Sequence, residues 1–373
     1  MKGKLLICLL AVTLIAGLGW GCAGEPKEQT YKVGTITCVT GAIPQMGEYC
    51  LRGWELAKED IDKSGMVAPS NIELCVEDGQ NVPKLALASL TRLIDVEKVP
   101  YIETVGSSVV LACAPICEES QVVLMNTAAK SPLITDAGDY IFSITVNAVA
   151  EGNAGVDFIK NTLNVDKCSV LYVNNEYGLT VGEYFIDLYQ KEGGTILDSI
   201  VYELGATDYR THITKLKAKN PPVIYLVGHQ NEAGYIAKQT VELGLDTQWV
   251  APCGVITPEM FAIGEETCEG WMALEPPFSA TAGTPKMLDF AKRYNENWGV
   301  DPTMYSANSY MAFMLYAMAV QSGATTAPEI KDFLYTVKDL DCVIGKLSID
   351  AKGMATFDMK PWVVKGGALV AYK

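Results

Sequence analysis

Short β-rich runs alternate with amphipathic helical stretches along almost the whole chain, and this leaves little choice of architecture. Tyr31 to Val39 reads as a buried strand, and Gly53 to Ile61 as a helix with Leu56, Ala57 and Ile61 turned inward. Ile72 to Glu77 reads as a strand, Pro83 to Asp95 as a helix, Tyr101 to Val105 as a strand, Val109 to Ser120 as a helix, and Gln121 to Met125 and Phe142 to Val146 as strands. Parallel neighbours need a crossover between them, and a helical crossover packs back onto the sheet. The order therefore predicts a parallel sheet with helices on both faces.

From Glu151 the alternation restarts, with a helix to Thr162 and then strand Ser169 to Val173, helix Gly182 to Glu192, strand Thr195 to Tyr202 and helix Tyr209 to Lys219. Strand Val223 to Val227, helix Glu232 to Leu243 and strand Trp249 to Ala251 follow. With 373 residues the chain is long enough for two such units. Helical patterns at Lys286 to Trp298, Met304 to Gln321 and Ala327 to Lys338, and a strand pair ending in Ala368 to Tyr372, exceed what either sheet needs alone. The expected fold is α/β, two doubly wound parallel-sheet lobes with a ligand cleft between them, because ligands of open α/β sheets bind beyond the carboxyl ends of the strands.

The start of the chain concerns location. Lys2 and Lys4 precede an apolar run from Leu5 to Leu18, too short to span a bilayer comfortably, and Gly21-Cys22 closes it. Residues 1–21 read as a signal peptide, Cys22 as a lipid-bearing first residue of the mature chain, and 22–30 as anchor and linker. An ordinary secretory leader with an incidental Cys22 is the alternative. Either reading places the body outside the cytoplasm, in the periplasm or on the outer cell surface. The later apolar run from Met311 to Val320 is broken by tyrosine and ends at Gln321-Ser322-Gly323, short of membrane length.

A net charge of −15 opposes binding to nucleic acid and to anionic headgroups. Of eleven cysteines, Cys8 and Cys22 belong to the leader region, which leaves an odd number for the body and room for one or two disulfides of unassigned pairing. Cys113 and Cys117 share a helix face and suit packing; with only His212 and His229 available, far apart in sequence, no metal site is expected. Catalytic signatures are absent too: no G-x-G-x-x-G in the first turn, no P-loop lysine, no G-x-S-x-G. No cofactor and no catalytic residue is expected. What the chain does have is a set of polar loops after its strands: Thr40 to Gly47, Gly106-Ser107-Ser108, Asn126 to Pro132, Asn174 to Gly178, Gly228 to Glu232 and Pro252-Cys253-Gly254. Small residues and hydroxyls at helix entrances favour anions, which suits a carboxylate ligand.

These loops, in this order, resemble those of the periplasmic leucine/isoleucine/valine-binding proteins, the type I substrate-binding receptors of branched-chain amino acid ABC transporters. The motifs are Thr40-Gly41-Ala42 with Gln45-Met46-Gly47, Glu77-Asp78-Gly79-Gln80, Ser107-Ser108, Ala129 with Ser131-Pro132, Glu176-Tyr177-Gly178, Gly205-Ala206-Thr207-Asp208 and Ile224-Tyr225-Leu226 with Gly228, and the likeness spans nearly all of 31–373. It implies three crossovers, with one lobe from 31–146 plus 276–343 and the other from 147–275 plus 344–373. It implies that the ligand carboxylate meets Ser107 or Ser108, Ala129 and Lys130, that Tyr177 closes over it from the other lobe, and that His229 or Gln230 stands where an aromatic is usual. Three positions depart from the family pattern: Met46 in place of an aromatic, Lys130 in place of a threonine, and Cys253 in place of the acid that neutralises the ligand's ammonium. The loss of that acid turns the expectation towards a carboxylate without an amine, with Glu176, Glu232 and Glu275 as acids within reach of replacing it. The implied function is a monomeric receptor that captures a small carboxylate or amino-acid-like ligand and delivers it to a membrane permease. The same fold also serves as a sensing module, and an exported enzyme is a third reading that the missing motifs oppose.

Overall fold

The computed structural model describes residues 28–372 except Pro277, Ala282 and Asp358; the leader and Cys22 lie outside the described residues. The chain begins with β1 (Thr30–Thr37), α1 (Pro44–Ser64), β2 (Asn71–Asp78), α2 (Pro83–Arg92), β3 (Tyr101–Thr104), α3 (Ser107–Ser120), β4 (Val123–Asn126) and β5 (Ile141–Ser143). These strands form a five-stranded sheet in the order β2-β1-β3-β4-β5, every pair parallel. Its inner strands β3 and β4 and the short β5 are buried on both faces, as a parallel sheet between helices requires, while the edge strand β2 buries only Ile72. Tyr101, Val123, Met125 and Phe142 point into one core with Trp54 and Phe313, while Ile102, Leu124 and Ile141 point into the other with Leu90, Val109 and Val110. The period-2 alternation of each strand is thus divided between two helical layers.

The second lobe runs α4 (Ala148–Asp157), β6 (Lys167–Val173), α5 (Glu176–Lys191), β7 (Thr195–Tyr202), α6 (Arg210–Lys219), β8 (Val223–Val227), α7 (Gln230–Glu242), β9 (Gln248–Ala251), α8 (Pro258–Gly264) and β10 (Met272–Glu275). The chain then returns to the first lobe through α9 (Pro285–Trp298), α10 (Met304–Gln321), α11 (Ala327–Tyr335) and the short hairpin β11 (Leu340–Cys342) and β12 (Gly345–Leu347). It ends with β13 (Lys360–Lys365) and β14 (Ala368–Ala371) on the second sheet, whose order is β14-β13-β10-β9-β8-β6-β7. The expected parallel sheet is present in this lobe too, and the last strand pair adds an antiparallel edge to it. β13, entering from the first lobe, runs antiparallel to β10, and β14 runs antiparallel to β13 because Gly366 and Gly367, both at positive φ (60° and 76°), make a two-residue hairpin turn.

The crossovers lie at 144–147, 276–284 and 356–359. The last lies later than the expected boundary at 344. Residues 345–355 stay with the first lobe: Ser143 N–H donates to Gly353 O (2.9 Å), Ala355 N–H to Ser143 O (2.7 Å) and Ile349 N–H to Val337 O (3.0 Å). Leu347, Ile349 and Ala355 are buried in the first-lobe core.

Several helices begin earlier than periodicity indicates, and this moves site residues from loops onto first turns. Pro44 opens α1, nine residues before the expected Gly53, since Met46, Tyr49 and Cys50 already face the core. Asn175 caps α5, its Oδ1 accepting from Gly178 N–H (2.8 Å), so Glu176 and Tyr177 are helical. α10 is buried over most of its circumference, and Gly53 lets α1 approach it so closely that a Cβ there would lie 2.2 Å from Ser306 O. Among the described residues no helix is long and apolar enough to cross a membrane.

Candidate functional site

The loops after β3 and β4 in one lobe and after β6, β8 and β9 in the other meet where the carboxyl ends of the two sheets converge. In the first lobe, Gly106 enters α3 at φ +82°, where a Cβ would strike the Asn81 amide at 1.8 Å. Val109 and Val110 both donate to Gly106 O, so the N–H groups of Ser107 and Ser108 have no acceptor within the helix. The Ser107 hydroxyl oxygen accepts from Lys130 N–H and Ser131 N–H, each 3.2 Å, and its own O–H remains free to donate.

Asn126 folds the loop that follows β4. Its Oδ1 accepts from Ala128 N–H (3.1 Å) and Ala129 N–H (2.7 Å), and its Nδ2 donates to Ala129 O (2.7 Å) and Ser143 Oγ (2.9 Å). Below it Glu103, fully buried in β3, accepts from Thr127 Oγ1 (2.7 Å), Thr35 Oγ1 (2.8 Å), Trp54 Nε1 (2.5 Å) and Ser309 Oγ. Burial pushes the Glu103 carboxyl above its ordinary range, and these donors oppose that rise.

From the second lobe, Tyr177 on the first turn of α5 packs against His229, the rings tilted by 41° with 5.6 Å between centroids. Asn175 Nδ2 lies 3.4 Å from His229 Nε2, which makes Nε2 the acceptor and leaves the ring proton on Nδ1. Burial lowers the His229 pKa, in keeping with a neutral ring.

A cavity of about 100 Å3 lies between these groups, lined by Met46, Ser107, Ser108, Ala129, Lys130, Tyr177 and His229 together with Ile43, Asn81, Gly106, Ala128, Asn175, Glu176, Leu204 and Tyr305. Seven of the residues singled out in the sequence are thus brought to one place. Gln230 and Cys253 do not line the cavity: Gln230 is buried in the first turn of α7, and Cys253 lies behind Lys130. A larger hollow of about 500 Å3, lined by Gly254, Phe261, Glu275, Phe278, Met304 and Trp362 among others, includes none of those nine residues.

Lys130 is the unusual group. It is 2% exposed, and its Nζ bonds Glu151 Oε1 at 2.6 Å, the Cys253 carbonyl, and Cys253 Sγ at 3.3 Å, with the Tyr177 ring centroid 5.5 Å away. Burial works against its charge, yet Cys253 and Glu151 beside it hold the ammonium form and raise its pKa above the usual lysine value. Glu151 Oε1 also accepts from Cys253 N–H (3.2 Å) and Cys253 S–H (2.8 Å), while burial pushes the thiol pKa up and keeps it protonated. Lys130 belongs to the first lobe and its partners to the second, so the contact crosses the lobe interface.

Sequence reasoning missed Glu151. The signal available was a single acid in the small-residue run Ala148-Val149-Ala150-Glu151-Gly152, at a helix entrance following a buried strand. The acids considered as replacements at the amine position are otherwise engaged: Glu232 Oε1 accepts from Gly205 N–H (3.0 Å) and Glu275 Oε1 from Gly254 N–H (3.2 Å). Glu176 lines the cavity and is partly exposed. Cys113 and Cys117 are buried in the face of α3, and the nine cysteines of the described residues are free thiols. Among the described residues no group of three or more His, Cys, Asp and Glu is arranged to hold a metal ion.

The sequence pattern of a family described as periplasmic binding protein matches residues 30–368. An amino acid binding protein of Pseudomonas aeruginosa is 26% identical over 374 residues, covering 96% of each chain. Among solved structures, a leucine binding protein from Thermotoga maritima superposes with a TM-score of 0.85 at 25% identity, over 92% of this chain and 98% of that one. A branched-chain amino acid transporter substrate binding protein from Streptococcus pneumoniae, in complex with isoleucine, gives 0.84 at 25% identity over 91% and 98%.

Proposed function

As a member of the periplasmic binding protein family this chain is a ligand-binding receptor, and we propose that it captures a small carboxylate or amino-acid-like molecule between its lobes and delivers it to the permease of an ABC importer. The observation that carries this reading is the cavity itself, walled by Ser107 and Ser108 from one lobe and by Tyr177 and His229 from the other. In it the Ser107 hydroxyl and the unpaired N–H groups at the start of α3 hold the carboxylate, with the helix dipole adding to the attraction. Tyr177 and His229 cover the ligand from the opposite lobe, and Met46, Ala128 and Ala129 form an apolar wall. The ligand leaves unchanged, since neutral His229 has no nucleophile beside it and the Cys253 thiol is protonated behind Lys130.

Family membership implies a site of action outside the cytoplasm. Cys22 as a lipid-bearing residue would tether the receptor beside its permease, and a single chain suffices for the site, since both walls of the cavity come from the same molecule. Thermal denaturation in the presence of a panel of amino acids and small carboxylic acids tests the receptor reading. A ligand at one hundred times its Kd stabilises the folded state by about 2.7 kcal/mol, visible as a shift of several degrees. No stabilisation by any member of the panel would overturn it.

A further inference from the structure

We propose that Lys130 makes this receptor select carboxylates that lack an ammonium group, because its own ammonium, clamped across the lobe interface by Glu151 and the Cys253 carbonyl, already occupies the buried acid that a ligand ammonium would need. The proposal rests on the receptor reading above and concerns what that site accepts.

The charges around the cavity carry the inference. Lys130 and Glu151 are 2% and 0% exposed, and they neutralise one another at 2.6 Å. Glu151 Oε2 has no partner, but the single charge of that carboxylate is already shared with Lys130, and Oε1 takes two further donors from Cys253. The other buried acids nearby, Glu232 and Glu275, are each tied to a backbone N–H of their own lobe. Glu176 sits on the first turn of α5, where the positive end of the helix dipole engages its charge. A ligand ammonium entering this pocket would therefore give up its hydration beside an existing ammonium and meet no unshared buried carboxylate. A ligand carboxylate meets the opposite conditions: the Ser107 hydroxyl and the first N–H groups of α3, while the three ammonium donors of Lys130 stay engaged with Glu151 and Cys253. Lys130 is a specificity-determining residue, and Glu151 positions it.

Isothermal titration of the full chain with matched probes decides the point: 4-methylpentanoate against leucine, and 3-phenylpropanoate against phenylalanine. The expected result is at least tenfold tighter binding of the acid without the amine in the pair whose side chain fits. Equal or tighter binding of the amino acid overturns the proposal while leaving the receptor reading intact. If no acid and no amino acid of the wider panel binds, the receptor reading itself falls and the proposal with it. Lys130→Ala provides a second readout, because it vacates the ammonium's place and leaves Glu151 unpaired; the preference should invert towards the amino acid. Lys130→Gln keeps a hydrogen-bond donor for Glu151 should the alanine variant not fold, and there the preference should shrink towards unity. An unchanged preference in whichever variant folds would overturn the proposal.

Discussion

Glu275 shows how one residue is set by the fold around it. Burial raises its carboxyl from an ordinary 4.5 to about 8, against the opposing effects of the Gly254 N–H and of Lys130. Between those two values the folded chain holds a proton that the unfolded chain has lost, so stability falls as pH rises through that window. Glu275→Gln keeps the Gly254 hydrogen bond and removes the titration. Its melting temperature should change less between pH 5 and pH 8 than that of the parent, and an equal slope in both would refute the assignment. His229 acts in the opposite direction: its depressed pKa means that acid protonates the unfolded chain first, which removes stability as pH falls below 6.5. Glu103 differs from both, since four side-chain donors converge on one buried carboxylate and tie β1, α1, the loop after β4 and α10 to the floor of the site.

At the level of elements, the site is as precise as the helix entrances that carry it. α3 and α5 begin earlier than their periodicity indicates, because the first turn of each has half its face on a sheet edge and the other half on the cavity; there apolar spacing loses its contrast. The crossing of α1 and α10 supports the first-lobe wall, and Gly53 is the residue that permits it. Gly53→Ala must push α10 away by moving the backbone at Ser306, a cost of about 2 kcal/mol by the measure of overpacked cores. A chemical denaturation midpoint lowered at unchanged slope would confirm this, and an unaltered midpoint would show that the helices separate freely.

At the level of the molecule, polar bridges join the lobes beside the apolar packing of Cys253 against the first-lobe core. Tyr49 on α1 donates to Glu259 on α8 (2.6 Å), Tyr305 to the Gly254 carbonyl (3.3 Å), and Lys130 to Glu151 and Cys253. On the receptor reading, three crossovers would serve as a hinge about which these contacts break and re-form. If the proposed ligand bridges Ser107 and Tyr177, it favours the closed form and shifts the population towards it. Small-angle X-ray scattering should record a smaller radius of gyration on saturation with a bound acid; an identical scattering curve with and without ligand would mean that the lobes do not move.

The alternation of strands and helices, the restart near Glu151, the surplus helices before Lys338 and the polar loops at the strand ends could all be read from residue order, because periods of two and of about 3.6 are local properties of the chain. The loops themselves showed only small and polar residues at helix entrances after buried strands; Ser107, Lys130, Tyr177 and His229 were singled out within them by the resemblance to the leucine/isoleucine/valine-binding proteins. The environment of Lys130 could not be read in that way. Its partners lie 21 and 123 residues away, and an ammonium with no carboxylate beside it would have turned to solvent. The late return to the second lobe at Lys360 has the same origin, since residues 345–355 are held by hydrogen bonds to Ser143 and Val337 that no pattern within the segment announces. Local spacing dictates which elements form; which charge is neutralised, and by whom, depends on distances that exist only once both lobes are folded and in contact.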